Sequence, residues 1–395
     1  MPSPVLRGIR VLDFTWVLAG PYASRILADF GAEVIKVQSR AIASGTERNA
    51  TGYFNTWNRG KLGITLDLNR AEGRELALRL VAISDVVANS FSPRVMANWG
   101  FSYDSLREVK PDLIMLSMSG MGGTGPQRDY AAFGPTVQAL SGLTYLTSYD
   151  AKSPTGTGYA HADHIAGLYA ALAVLIALEH RDKTGKGQYI DISELETMCS
   201  LLGPSLMDCS INGAVPHPQG NHSDYISAAP CGCYRCRGDD KWCVIAVYTE
   251  AEWQTLCNLA GNPPWNREPG FATPELRREP FEELDMLLEQ WMANYSPQEL
   301  VPMLQQAGIA AGEVKDAGEV ARDPQLVSRN FFVDINHPVL GKTRADGTPI
   351  ILSRTPAQFG KPAPLLGEDN RYVFQELLGI GETEYKKYVD EGIIG

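Results

Sequence analysis

The feature that most constrains this chain is an alternation of strand and helix patterns through its first third. GIRVLDF reads as a strand, GPYASRILADF as a helix and AEVIKVQ as the next strand. LGITLDL (62–68), DVVANSF and DLIMLSMSG repeat the strand pattern, with AEGRELALRLVAIS and YDSLREVKP as helices among them. Gly31 stands where a helix often ends in a left-handed residue. Repeated β-α-β units predict an α/β fold with a parallel sheet covered by helices. Such sheets bind ligands at the C-terminal ends of their strands. The loops beginning at Thr15, Gln38, Ser90 and Ser119 are therefore the places to look for a site.

The 395 residues are too many for one compact core, so two domains are expected. The texture changes near residue 226. Strand-like CGCYRCR and KWCVIAVY are followed by helical EAEWQTLCNLA, FEELDMLLEQWMANY and SPQELVPMLQQA, which predicts a smaller α+β domain. The expected division is a large domain over 1–200, a linker over 201–225, the small domain over 226–325 and a C-terminal segment over 326–395. A net charge of −11 argues against wrapping nucleic acid, which needs a basic surface. It leaves room for a local basic pocket. No export signal is read at the start, and the apolar run IAGLYAALAVLIALEH suits a buried helix better than a membrane span. The seven cysteines are then expected as thiols in a reducing cytoplasm.

Three motifs invite readings that their context does not support. GMGGTG (120–125) matches a dinucleotide fingerprint, but it lies in the fifth unit, and Pro126, Gln127, Arg128 and Asp129 separate it from any helix. A glycine-rich loop over a site fits better. KTGKG, within HRDKTGKGQ (180–188), lacks the spacing of a P-loop and fits a helix end with cations and a glycine stop. Cys231, Cys233, Cys236 and Cys243 are not spaced as paired zinc knuckles. Their alternation reads as strand, with a turn at 238–240, and no metal site is expected.

The segment YAHADHIAGLYAA (159–171) raises a sharper question. Asp163 stands just ahead of a run of small apolar residues. Aspartate there suits a helix N-cap, where it accepts a backbone N–H that the first turn leaves unpaired. It also suits a nucleophile, and those two readings are compatible.

The landmarks form an ordered set: RVLDFTWVLAGPYASRILADFGAEVIKV, NRGKLGITLDL, FSPRVMANWGFSYDSL, SGMGGTGP, QALSG, ADHIAG, RDKTGKGQYIDIS, GIAAGEV, DPQLVSRNFF and PLLGE. Each is weak alone, but in this order the chain resembles the family III CoA-transferases, among them formyl-CoA, carnitine and benzylsuccinate CoA-transferases and α-methylacyl-CoA racemase. The resemblance implies a Rossmann-like large domain with a parallel sheet, a smaller α+β domain, and a C-terminal segment that returns to the large domain. It implies two subunits interlocked as a dimer and no permanently bound metal or redox cofactor, coenzyme A thioester being a substrate. It implies that Asp163, in ADHIAG, attacks the thioester. CoA would then pass from an acyl-CoA, with succinyl-CoA a plausible donor by analogy, to a carboxylic acid through a mixed anhydride and an aspartyl-CoA thioester. Oxyanion donors are sought in 120–125 or from Gly220 onward. The CoA contacts implied are Leu18, Ala19, Ser39, Leu66, Asn69, Ser90, Phe91 and Asn98.

Some positions depart from the relatives. Ala162 precedes the aspartate where many have glycine, and Leu18 stands where formyl-CoA transferase has glutamine. Ser39, beside Arg40, stands where arginine is common. QGNHSDYISAAP (219–230) has no glycine run, which argues against formyl and oxalyl chemistry. Phe133 falls where the racemases place a histidine and cannot move a proton, although His161 and His164 flank Asp163. A racemase and one subunit of a heteromeric CoA-transferase are the alternatives. Trp16, Phe133, Tyr159 and Tyr225 suggest a large or aromatic acyl group.

Overall fold

Each strand of the first third alternates its side chains between two cores. In β1 (Arg10–Asp13) Leu12 enters one core and Val11 the other. In β2 (Glu33–Gln38) Ile35 and Val34 divide in the same way. This is the pattern of a sheet buried on both faces. The computed structural model describes residues 3–40, 49, 51–222, 227–278 and 281–395. In chain order, its first part holds β1, α1 (Ala19–Asp29), β2, α2 (Gly52–Asn58), β3 (Leu62–Thr65), α3 (Ala71–Ala82), β4 (Val86–Asn89), α4 (Pro93–Asn98), α5 (Tyr103–Val109) and β5 (Ile114–Ser119). After these come α6 (Gly134–Leu140), α7 (Leu143–Leu146), α8 (His161–Thr184), β6 (Tyr189–Ser193), α9 (Glu194–Leu201) and α10 (Gly203–Asn212).

The six strands form one parallel sheet in the order β3-β2-β1-β4-β5-β6. This is the doubly wound Rossmann order, and its direction reverses between β1 and β4. The crevice at that reversal opens at the C-terminal ends of those two strands, at Thr15 and Ser90. The predicted parallel α/β fold is observed.

The chain divides into two compact units. The first comprises residues 1–145, 156–216 and 325–395, and the second 146–155 and 217–324. Residues 201–225, expected as a linker, instead contain α10. The segment 146–155, expected in the large domain, belongs to the second unit.

Within the first unit the C-terminal segment covers the free edge of β3. Asp369 and Asn370 accept the N–H groups of Gly63 and Thr65 at 2.7 and 2.9 Å. Pro364 packs so closely on Gly63 that a Cβ there would lie 2.6 Å from it. An exposed strand edge is thereby closed against pairing with other chains. Val373, Phe374, Ile393 and Ile394 complete the core beneath.

The second unit carries an antiparallel sheet of β7 (Cys231–Arg235), β8 (Trp242–Ala246) and β9 (Ala310–Glu313). Its helices include α11 (Glu250–Leu259), α12 (Pro274–Arg278), α13 (Phe281–Met292) and α14 (Pro297–Gln306). The sequence reading named β7 and β8 but missed β9, whose AAGE has no β-branched residue. The strand reading of the cysteine cluster holds. Tyr234 pairs with Cys243 across the hairpin, Gly238 and Asp240 take positive φ at its turn, and Cys236 and Cys243 are buried. Burial pushes the thiols of Cys231, Cys233, Cys236 and Cys243 up. Among the described residues no group of three metal-ligating side chains converges.

Candidate active site

The site begins in the turn between β1 and α1. Asp13, fully buried, accepts hydrogen bonds from Thr15 N (2.8 Å), Ser24 Oγ (2.6 Å) and Lys61 Nζ (3.0 Å). Lys61 also donates to Asn58 Oδ1 and to the Pro21 carbonyl, and Lys36 Nζ donates to the Thr15 carbonyl. Burial would raise the Asp13 carboxyl. Lys61, Lys36 and the Ser24 and Thr15 hydroxyls outweigh it and hold the group below 3.8. On this rigid base Val17 adopts φ +64°, a left-handed conformation that a β-branched residue rarely takes. Trp16 N donates to Ser90 Oγ at 3.0 Å, joining the β1 and β4 loops.

The strained turn brings the N–H of Ala19 close enough to the carboxylate of Asp163 to lower its pKa. Helix α8 comes close enough because its inner face is small. Ala162, Ala166, Ala170 and Ala177 are buried, and a Cβ on Gly167 would lie 2.8 Å from the Ala19 carbonyl. Asp163 is not the N-cap. Helix α8 starts earlier, with Ala160 as a cap that makes no side-chain bond, and Asp163 is the third helical residue. It is 9% exposed, and its Oδ2 lies against Gly134, where a Cβ would stand 2.2 Å away. Burial holds the Asp163 carboxyl above 3.8, against the opposing pull of its own N–H, of His164 and of the Ala19 N–H. A buried carboxylate with few donors is a stronger nucleophile than a solvated one.

The histidines are otherwise engaged. His164 bonds the Ala160 carbonyl (2.7 Å) and the Tyr159 hydroxyl (3.3 Å), and it sits in a box of Tyr22, Trp57 and Tyr159 rings. His161 bonds Thr157 Oγ1 at 3.0 Å.

Two cavities meet at the switch point, and Trp16 and Phe91 line both. Thr15, Gln38, Ser39, Leu66 and Asn69 line the first. Ala19, Ser90, Ser119, Gly120, Phe133, Asp163 and Glu194 line the second. Six of the eight expected CoA contacts thus fall on these two walls. Leu18 does not. It is buried as the N-terminal cap position of α1, its carbonyl taken by Tyr22 N. Asn98 does not either, being exposed at the end of α4. Of the aromatic residues expected near the acyl group, Trp16 and Phe133 line the second cavity, while Tyr159 stacks on His164. Tyr225 lies outside the described residues.

The glycine-rich loop runs from β5 to α6 and is tied down at its centre. Gly123 N donates to both oxygens of Asp191 at 2.9 Å. Gly120 faces the Asp163 cavity and remains a candidate oxyanion donor, and Ala19 N–H is one that the sequence reading did not name in that role. Gly220 belongs to the second unit, beside Tyr149. Gly185 takes φ +70° at the end of α8, with Arg181 and Lys183 in its last turn, as expected of KTGKG.

Glu194 was missed. It opens α9, lines the second cavity and is 9% exposed. Burial, with the charge of Asp163 adding to it, pushes the group up to about 8.

A buried carboxylate thus lines a cavity at the switch point of a Rossmann sheet, beside a strained turn. The family described as CoA-transferase family III matches residues 6–370, and the chain belongs to that family. It is a CoA-transferase, and a CoA thioester is its substrate. It is 34% identical over 390 residues to a succinyl-CoA–D-citramalate CoA-transferase of Chloroflexus aurantiacus, covering 97% of this chain and 96% of the relative. It is 32% identical to the alpha subunit of a succinyl-CoA–L-malate CoA-transferase of the same species, covering 98% and 92%. A crystal structure of a CaiB/BaiF family protein from Brucella suis superposes with a TM-score of 0.87 at 31% identity, covering 95% of this chain and all of that one.

Proposed function

We propose that this CoA-transferase works through Asp163 as a covalent nucleophile. The observation that carries the reading is the buried Asp163 carboxylate, seated between Gly134 and the Ala19 N–H at the cavity of the switch point. The carboxylate attacks the thioester carbonyl of the donor. CoA thiolate leaves, and a mixed anhydride forms. The thiolate then attacks the aspartyl carbonyl, giving an aspartyl-CoA thioester and releasing the donor acid as its carboxylate. The acceptor carboxylate attacks that thioester, and the returning thiolate completes the new acyl-CoA and restores Asp163. Every step exchanges one anion for another, so no net proton transfer is needed. The Ala19 N–H, and an N–H of the Gly120 region, stabilise the oxyanions.

CoA lies along the first cavity, against Ser39, Leu66, Asn69 and Phe91, with Ala19 and Ser90 beside the thioester. Leu18 and Asn98 act at most through the shape of their loops. Succinyl-CoA is the proposed donor and a small dicarboxylic or hydroxy-dicarboxylic acid the acceptor, since two relatives are named for such a pair. Phe133 in place of a proton-carrying residue, and the engagement of His164, weigh against racemization. The enzyme is proposed to act in the cytoplasm as an interlocked homodimer. Exposed apolar side chains along α8 (Leu168, Leu172, Ile176) and α10 (Leu206, Met207, Ile211) support such an interface. The relative named as an alpha subunit keeps a heteromer as the second reading.

Asp163→Ala tests the reading. Transfer between acyl-CoA and free acid is expected to vanish while circular dichroism and melting stay close to wild type. An alanine variant that retains a substantial fraction of turnover sinks the assignment.

A further inference from the structure

The Asp163 cavity is lined by two residues whose side-chain polar groups no described residue engages. Ser119 Oγ, at the end of β5, is buried with no hydrogen-bond partner among the described residues. Glu194 follows Ser193, and Ser193 is the β6 residue paired in register with Ser119. Glu194 lines the same cavity, close enough to Asp163 to feel its charge, and no ion pair or hydrogen bond to its carboxyl is found among the described residues. The helix start does not use it, because Ser193 caps α9 by accepting Glu196 N. Buried polar groups without partners cost stability and persist where a ligand completes them.

Resting on the Asp163 reading above, we propose that Glu194 and Ser119 form the subsite for the carboxylate of the free acid, each donating one O–H to it beside Asp163. Glu194 is then a catalytic residue that touches the acid as it is released or captured. Its proton stays on it throughout. The bonds made and broken are those at Asp163, the thioester and the acid. A second ionised carboxylate here would repel both Asp163 and the arriving acid, whereas the neutral acid attracts it.

The surroundings favour the protonated form. From α8, Asp163 adds negative charge, while His161 and His164 are bonded to Thr157, Tyr159 and the Ala160 carbonyl. From β6, Asp191 is engaged with Gly123 N, and from α9 itself Glu196 is another acid. Helix α6 brings no titratable side chain. The one cation on the cavity wall among the described residues, Arg128, is largely exposed and pairs with Asp129 at 3.6 Å, and Tyr130 beside it is exposed. With its carboxyl at about 8, Glu194 carries its proton at neutral pH and loses it above.

The test uses the full-length enzyme with wild type, Glu194→Gln, Glu194→Leu and Ser119→Ala. In wild type, kcat/KM for the free acid is expected to fall as pH rises through about 8. Glu194→Leu is expected to lower kcat/KM for the acid by about tenfold at pH 7, more than kcat/KM for acyl-CoA. Glu194→Gln keeps a donor, so it loses less than about threefold and its alkaline decline disappears. Ser119→Ala gives a smaller loss of the same kind with the decline retained. An infrared difference spectrum, wild type minus Glu194→Gln, is expected to contain a protonated-carboxyl C=O band that titrates away near pH 8. Absence of that band, or a Glu194→Leu enzyme with an unchanged rate and pH profile, overturns the subsite while Asp163-dependent transfer stands. Glu194-dependent exchange of an acyl α-proton with deuterated solvent overturns it too, since Glu194 would then be a base. Transfer that survives Asp163→Ala removes both readings together.

Discussion

At the scale of single residues, the placing of Asp163 at a cavity was legible and its surroundings were not. The motif ADHIAG pointed to the carboxylate, but the helix begins two residues before it, so the residue is set in the first turn rather than capping it. Ala160 caps with no side-chain bond, which left no local signal for that earlier start. Glu194 gave no signal either, because an acid in the first turn of a helix ordinarily sits in solvent and answers the helix dipole. Only the fold turns it toward Asp163. Gly134 is the same kind of case. It reads as an unremarkable residue before Pro135, yet a Cβ there would lie 2.2 Å from Asp163 Oδ2. Gly134→Ala is expected to displace the Asp163 carboxylate and, on the proposed mechanism, to lower kcat by about a hundredfold, since misplacement of roughly 1 Å has that effect. The melting temperature should change little. Normal kcat in the alanine variant would mean that the carboxylate does not need its seat.

At the scale of elements, the strand and helix pattern was readable because each unit repeats its periodicity locally. The turn between β1 and α1 was not, because its geometry is enforced by residues from three other segments. Lys36, from β2, bonds the Thr15 carbonyl; Lys61, from the approach to β3, bonds Asp13 and the Pro21 carbonyl and is itself held by Asn58 of α2. Lys61→Met should leave Asp13 buried without its main counter-charge and cost about 3–5 kcal/mol in urea unfolding. The double change Asp13→Leu with Lys61→Met should recover part of that loss. Because Asp13 is held below 3.8 in the fold, the stability it contributes is present above its ordinary value. That stability is lost as pH falls through the lower folded value. The Lys61→Met variant should show a weaker loss of stability in acid than wild type. Equal stability at neutral pH would show that the network is not what holds the turn.

At the scale of the whole molecule, the ordered motifs identified the family because they span the chain, whereas each alone is weak. The division into units was less legible. The short segment 146–155 leaves the first unit for the second, and the helix over 203–212 occupies part of what reads as a linker. Neither leaves a compositional mark. The exposed apolar rows of α8 and α10 call for a partner surface. Light scattering of the purified chain is expected to give a dimer that persists on dilution, active without any second protein. Activity only after addition of a related chain would make it one half of a heteromer.

The central claim, that Asp163 carries the acyl group and then CoA, is tested most directly by trapping. The enzyme is incubated with donor succinyl-CoA and hydroxylamine, digested and examined by peptide mass spectrometry. The account predicts an aspartyl hydroxamate on the peptide bearing Asp163, formed only when acyl-CoA is present. Full turnover with that peptide unmodified, or a hydroxamate on another residue, would contradict it.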